Sequence, residues 1–181
     1  MPSFIALLRG VNVGKAKRVP MADWRAQLEE LGYTSVATLL NSGNAVFSAV
    51  RAPSRSYAAA IASAIASGLK VNVTVVVKSS VELAAIVAEN PFAITAADHS
   101  RLLVAFTQDL KALEALASLA RLASPPEEYI VGKHAAYLHC PAGILQSKVG
   151  SALLGKAGDQ VTTRNWATTL KLQALLTERD A

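Results

Sequence analysis

"LLRGVNVGKAKRVPMADW", Leu7 to Trp24, runs from an apolar strand into two glycines, an asparagine and four cations, and then meets a proline. Its reading decides the fold. A nucleotide P-loop has four residues between its glycines, then Gly-Lys and a Ser or Thr for magnesium, and it sits in a parallel βαβ crossover. Here three residues separate Gly10 from Gly14, and Ala16 follows Lys15. The chain after the loop also returns to pair in the antiparallel manner, with no acidic strand end to match. Triphosphate hydrolysis is therefore excluded. What survives is a looser site. Backbone amides freed at Gly10 and Gly14, Asn12, and the cations Arg9, Lys15, Lys17 and Arg18 can surround a phosphate or carboxylate close to a helix N-terminus.

Working outward, "SFIALLR" is a near-continuous apolar strand, as a central strand should be. Pro20 suits a first helical position, and Met21, Trp24, Leu28 and Leu31 recur on one face until Gly32. "SVATLLNSGNAVFSA" reads as two strands around a turn at Asn41 to Asn44, where Asn and Gly tolerate positive φ. "SRSYAAAIASAIASG" gives a helix with Tyr57, Ile61 and Ile65 inward and Gly68 as its stop. "VNVTVVVK" is a fourth strand, and Ser79 with Glu82 makes a capping-box signature for the helix "VELAAIVAEN". The order is βαββαβ plus a trailing helix.

The second half repeats the pattern without obvious identity. "RLLVAFT" is a strand, "LKALEALASLARL" a helix, and "EEYIVG" with "AAYLHC" a hairpin around Gly132 to His134. "ILQSKVGSALLGKAG" is a helix, "QVTTR" a strand and "WATTLKLQALLTE" the trailing helix. The expected architecture is α+β: two ferredoxin-like halves over residues 1–90 and 101–181, joined by a linker at 91–100. With strand order 4-1-3-2, the loop Arg9 to Arg18 sits beside Asn41, Ser42 and Asn44. Ser147 and Lys148 likewise neighbour Arg164 and Asn165. In "TTRNW", Arg164 at a strand end next to helix amides would clamp a carboxylate or phosphate, and Asn165 or Thr163 would cap the helix.

The charge is uneven. Residues 1–81 hold nine Lys and Arg against three acids, and the remainder holds nine against ten, so the net +5 lies wholly in the first half. That asymmetry favours an anionic partner, either a small molecule or a nucleic acid. The sole cysteine, Cys140, fits a reducing cytoplasmic setting. "SYAAAIASAIASGL" falls short of a membrane span, so no membrane partner is expected. Cys140 and His139 are adjacent on a strand and point to opposite faces, which rules out a local nucleophile and base pair. His99, His134 and His139 lack zinc spacing, so neither metal nor cofactor is expected. Phe47 and Tyr33 are the aromatics close enough to the basic half for base stacking. An anion-binding module is the first reading. The alternatives are an enzyme whose site is shared between the halves, with no nucleophile identified, and a protein-interaction module. The sequence leaves the oligomeric state open.

The blocks "FIALLRGVNVGKAKRVPMADWRAQLEELGYTSVATLLNSGNAVF", "SKVGSALLGK" and "TTRNWATTLKL" closely resemble the bacterial family called domain of unknown function 1697, over essentially the whole chain. The family pattern falls on Arg9, Gly10, Asn12, Val13, Gly14, Pro20 and Met21, then on Ser42, Gly43 and Asn44. It resumes at Ser147 and Lys148, and at Arg164, Asn165 and Trp166. The resemblance implies a two-part α+β chain and no settled activity. Lys15 stands where the family commonly has a second glycine, Ala16 where it has a lysine, and Ala167 where it has an asparagine. A site built on Arg9, Asn12 and Arg164 is the least affected by these changes.

Overall fold

The computed structural model describes every residue except Ala16. It is a mixed α+β protein with two four-stranded antiparallel sheets and, among the described residues, six α-helices. Two compact units make up the chain: Met1–Val81 with Leu172–Ala181, and Glu82–Lys171.

In the first unit, β1 (Ser3–Leu8), α1 (Met21–Glu30), β2 (Thr34–Leu39), β3 (Asn44–Ser48), α2 (Ser54–Leu69) and β4 (Val75–Ser79) follow in order. The sheet order is β2-β3-β1-β4, as expected from the sequence. All six residues of β1 are buried, because it has a neighbour on each side and apolar residues on both faces. Register places Leu7 opposite Asn44 and Leu8 opposite Val75. The end of β1, the β2–β3 turn and the start of β4 therefore share one end of the sheet.

One face of this sheet packs on α1 and α2 through Phe4, Leu8, Trp24, Leu28, Phe47 and Ile61. Each such side chain removed from water stabilises the fold by about 1.5–3 kcal/mol. Tyr33 stacks on Phe47 at 4.6 Å, and Tyr57 meets Phe4 at 4.8 Å. Two local expectations shift. Leu31 does not continue the apolar face of α1; it is the C-cap and 38% exposed. Gly68 does not stop α2, which continues to Leu69 and ends on Lys70 in the left-handed region. A Cβ at Gly68 would stand 2.1 Å from Gln27 Nε2, so this glycine serves the approach of α1 to α2. Gln27 uses that approach to donate to the Ala64 carbonyl at 3.1 Å.

The second unit contains α3 (Ser80–Glu89) from Glu82 onward, β5 (Leu102–Thr107), α4 (Leu110–Ala115), β6 (Glu128–Val131), β7 (Ala136–His139), α5 (Lys148–Leu154), β8 (Val161–Asn165) and the start of α6 (Trp166–Asp180). Its sheet order is β6-β7-β5-β8. The two long helices expected here are interrupted. α4 tightens into a 3-10 segment over Leu116–Leu122, and α5 is shortened by the Ser147 cap before it and Gly155 after it. Residues 91–100, expected as a linker, carry buried positions. They belong to this unit, with Phe92 and Ala96 buried and the Asn90 side chain accepting from the Phe92 amide. The contact boundary falls at Val81/Glu82, and the last ten residues join the first unit.

Candidate functional site

The loop after β1 is anchored at two buried valines, Val11 and Val19, between which Val13, Gly14, Lys15, Lys17 and Arg18 are exposed. Val11 and Lys17 form a parallel bridge, and the Asn12 amide donates to the Lys17 carbonyl at 2.8 Å. Asn12 closes the base of the loop. Its Nδ2 donates to the carbonyls of Val19 (2.7 Å) and Asn41 (2.8 Å), and its Oδ1 accepts from the Val19 amide at 2.9 Å. The backbone follows suit: Asn12 takes φ 57°, a left-handed value that asparagine accepts more readily than most residues.

The loop is thus fastened to the β2–β3 turn, as the strand order predicts. The turn itself is held by Asn44, fully buried, whose Nδ2 donates to the Leu39 carbonyl and to Ser42 Oγ. Leu8 donates from its amide to the Gly43 carbonyl at 2.8 Å. Gly43 lies against the same wall: a Cβ there would come within 2.6 Å of Leu8 Cβ, at φ 85°. The third segment at this end precedes β4. The Arg9 amide donates to the Thr74 carbonyl at 3.0 Å, and Lys17 Nζ donates to the Asn72 carbonyl.

On this frame Lys15, Lys17 and Arg18 are exposed and Arg9 is half-buried. Arg18 donates to the Gly14 carbonyl at 3.2 Å. Lys15, Lys17 and Arg18 form no ion pair with a carboxylate among the described residues. Gly10 and Gly14 both have positive φ and open space around them. Val13 on the loop and Leu40 beside Asn41 are 63% and 56% exposed, apolar side chains that the sequence reading left out of the group. Leu40 is held at φ 59°, where a leucine is strained.

Of the four candidates in the second unit, Ser147, Arg164 and Asn165 hydrogen-bond within the chain. Ser147 is buried and caps α5, its Oγ accepting from the Gly150 amide at 2.8 Å; Lys148 beside it is exposed. Asn165 caps α6, accepting from the Thr168 amide at 2.9 Å. Arg164 is 8% exposed and donates to Thr162 Oγ1 (2.6 Å) and the Thr163 carbonyl (2.7 Å). Burial lowers its pKa to about 10, which leaves it cationic at neutral pH. The Cys140 thiol is pushed up by burial and points at the Arg101 carbonyl, so it is protonated and structural.

One polar centre escaped the sequence reading. The Glu89 carboxylate accepts from the amides of Lys133 (2.5 Å) and His134 (3.0 Å) and from the Tyr137 hydroxyl (2.8 Å). Burial alone would raise its pKa, but these donors more than offset that and the net shift is downward. Burial and the neighbouring carboxylate raise the Tyr137 phenol. A carboxylate held ionised and a phenol held neutral anchor the hairpin to α3; neither is poised to exchange a proton near pH 7. No residue type marks this centre in advance, since two of its three donors are backbone amides.

No helix among the described residues is long and apolar enough to cross a membrane. A family model described as protein of unknown function (DUF1697) matches residues 1–137. Among solved structures, a conserved bacterial protein, SP0830, from Streptococcus pneumoniae is similar at a TM-score of 0.80 and 23% identity, covering 97% of this chain and 98% of that one. That likeness is one of fold. No curated protein matches the chain.

Proposed function

This chain belongs to the DUF1697 family, whose description assigns no activity, and from its own geometry we propose that it is a binding module for a phosphate-bearing anion, a nucleotide or a nucleic-acid segment. We read the two sheets as duplicated ferredoxin-like halves and place the site at the cationic end of the first. One observation carries the reading: three exposed cations stand on a loop pinned at its base by Asn12, and among the described residues no carboxylate pairs with them. A surface that leaves like charges unpaired on a held backbone attracts an anion at little ordering cost. The reading is confined to Arg9, Gly10, Gly14, Lys15, Lys17, Arg18, Asn41 and Ser42. Asn12 and Asn44 frame the site, because their amide hydrogens are spent internally.

Thermal unfolding with pyrophosphate, nucleoside triphosphates and short oligonucleotides tests this. A true ligand at 100 times its Kd stabilises by about 2.7 kcal/mol. The shift should vanish in Lys15→Ala/Arg18→Ala while the unliganded transition stays put. No shift with any probe, or a shift that survives the double substitution, overturns the reading.

A further inference from the structure

The chemistry of the cationic end restricts which phosphate-bearing partner fits it. A mononucleotide is recognised by polar groups that read its base inside a concave site. Here the two asparagines framing the site have none to offer, since Asn12 spends both amide hydrogens on Val19 and Asn41 and Asn44 spends its own on Leu39 and Ser42; of the site's other uncharged side chains, Ser42 Oγ already accepts from Asn44 and Asn41 stands exposed on the turn. A single strand is held by stacking its bases on exposed rings. Every aromatic residue of the first unit packs into its core instead. Phe4, Trp24, Phe47 and Tyr57 are at most 6% exposed, and Tyr33 lies stacked on Phe47. Phe47 and Tyr33, the rings expected to reach bases, are therefore committed to the interior.

The surface offers cations and aliphatic groups, distributed over three adjacent segments. Lys15, Lys17 and Arg18 stand on the first loop, and Lys70 is exposed on the segment whose Asn72 carbonyl receives Lys17. Val13 and Leu40 project beside the Asn12 to Asn41 tie that joins the loop to the turn. Separated positive charges interspersed with aliphatic side chains complement a rail of phosphates with the C–H faces of sugars between them. The left-handed backbone that presents Leu40 fits such a role, since strain is retained where the presented group is used.

Building on the anion-binding reading, we infer that this end of the first unit binds double-stranded nucleic acid through its backbone and without reading sequence. Lys15, Lys17, Arg18 and Lys70 contact phosphates, and Val13 and Leu40 lie against the sugars.

Fluorescence anisotropy of the full chain with two unrelated 20-base-pair duplexes, the matching single strands and ATP tests this. Both duplexes should bind within about 3-fold of each other and more tightly than either single strand. Four phosphate contacts give a log–log salt slope of about −3.6, so affinity falls roughly 10²-fold between 50 and 200 mM salt. Lys15→Ala/Arg18→Ala should make the slope shallower by about 2. Leu40→Ser should weaken duplex binding with little change in slope. Strong preference for one duplex, tighter binding to single strands, or binding to ATP alone overturns the duplex assignment and leaves the anion-binding reading standing. Binding only to vesicles of phosphatidylserine and phosphatidylcholine, added as a further probe, overturns the duplex assignment in favour of a lipid surface, and binding to neither the nucleic acids, ATP nor the vesicles overturns both readings.

Discussion

Asn12 Nδ2 donates to the Asn41 carbonyl at 2.8 Å, joining residues 29 positions apart in sequence through one side chain. The same amide serves Val19 on both of its polar atoms. The loop and the β2–β3 turn are therefore a single object, and the cations on the loop inherit their position from an uncharged residue.

Replacing Asn12 with alanine removes all three of these bonds and places a Cβ without a compensating polar group at φ 57°. We expect a loss of about 2–3 kcal/mol in urea unfolding, from unsatisfied backbone groups and the left-handed backbone together. Asn12→Gly relieves the backbone term alone and should recover about 1 kcal/mol of it. Equal losses in the two variants would show that the dihedral contributes nothing.

Gly43→Ala probes the same joint by space. Its new methyl would meet Leu8 Cβ at 2.6 Å and Val11 Cγ2 at 2.9 Å, both buried and both on or beside the central strand. Neither can retreat without moving β1, so the turn must lift. The expected cost is roughly 2–4 kcal/mol, from overpacking and positive φ. Hydrogen exchange should quicken at the Leu8 amide, which donates to the Gly43 carbonyl. A stable variant with unchanged protection there would mean that the turn tolerates displacement.

Much of this arrangement was legible in the residues. The period-2 runs and the Asn-Ser-Gly-Asn turn specify antiparallel neighbours, and the order β2-β3-β1-β4 then brings the loop to the turn. The cap at Asn165 was legible, at the strand-to-helix junction its chemistry favours, whereas Ser147, read inside a helix from Ile144, is instead the residue that starts it. Consumption of the polar groups could not be read. Whether Asn12 faces a ligand or its own backbone depends on where Val19 and Asn41 carbonyls fall, and carbonyls carry no sequence identity. For the same reason Gly68 looked like a helix stop, when its cause is Gln27 on another helix. In the segment 91–100, read as a linker, Phe92 and Ala96 are buried although nothing in the sequence sets them apart.

Ser147 and Asn165 distinguish capping from ligand binding. Ser147→Ala leaves the Gly150 amide without its acceptor, and Asn165→Ala does the same to Thr168. Each should cost about 1 kcal/mol of stability. Ser147→Asp and Asn165→Asp should restore most of it, because a carboxylate accepts the same bond and favours a helix N-terminus. Rescue by aspartate is the discriminating outcome, since an added negative charge would weaken any site that holds an anion there.

Glu89 supplies a stability term that acid should remove. Three donors hold its carboxyl below the ordinary range against the opposing effect of burial, so folding favours the ionised form. A folded pKa below the unfolded value, about 4.3, means that the contribution is complete above that pH and is lost as pH falls through the lower folded value. Glu89→Gln keeps the shape but removes the charge, and should cost about 1–2 kcal/mol at pH 7, discounted because the group is partly exposed. The gap between wild type and variant, measured by urea unfolding at intervals from pH 6 to pH 3, should narrow as the wild-type carboxyl takes up its proton. Tyr137→Phe withdraws one donor and should shift that narrowing to higher pH. A gap that stays constant across the range would mean that the hairpin amides bind the amide side chain as well as the carboxylate, and that charge plays no part in fastening β6 and β7 to α3.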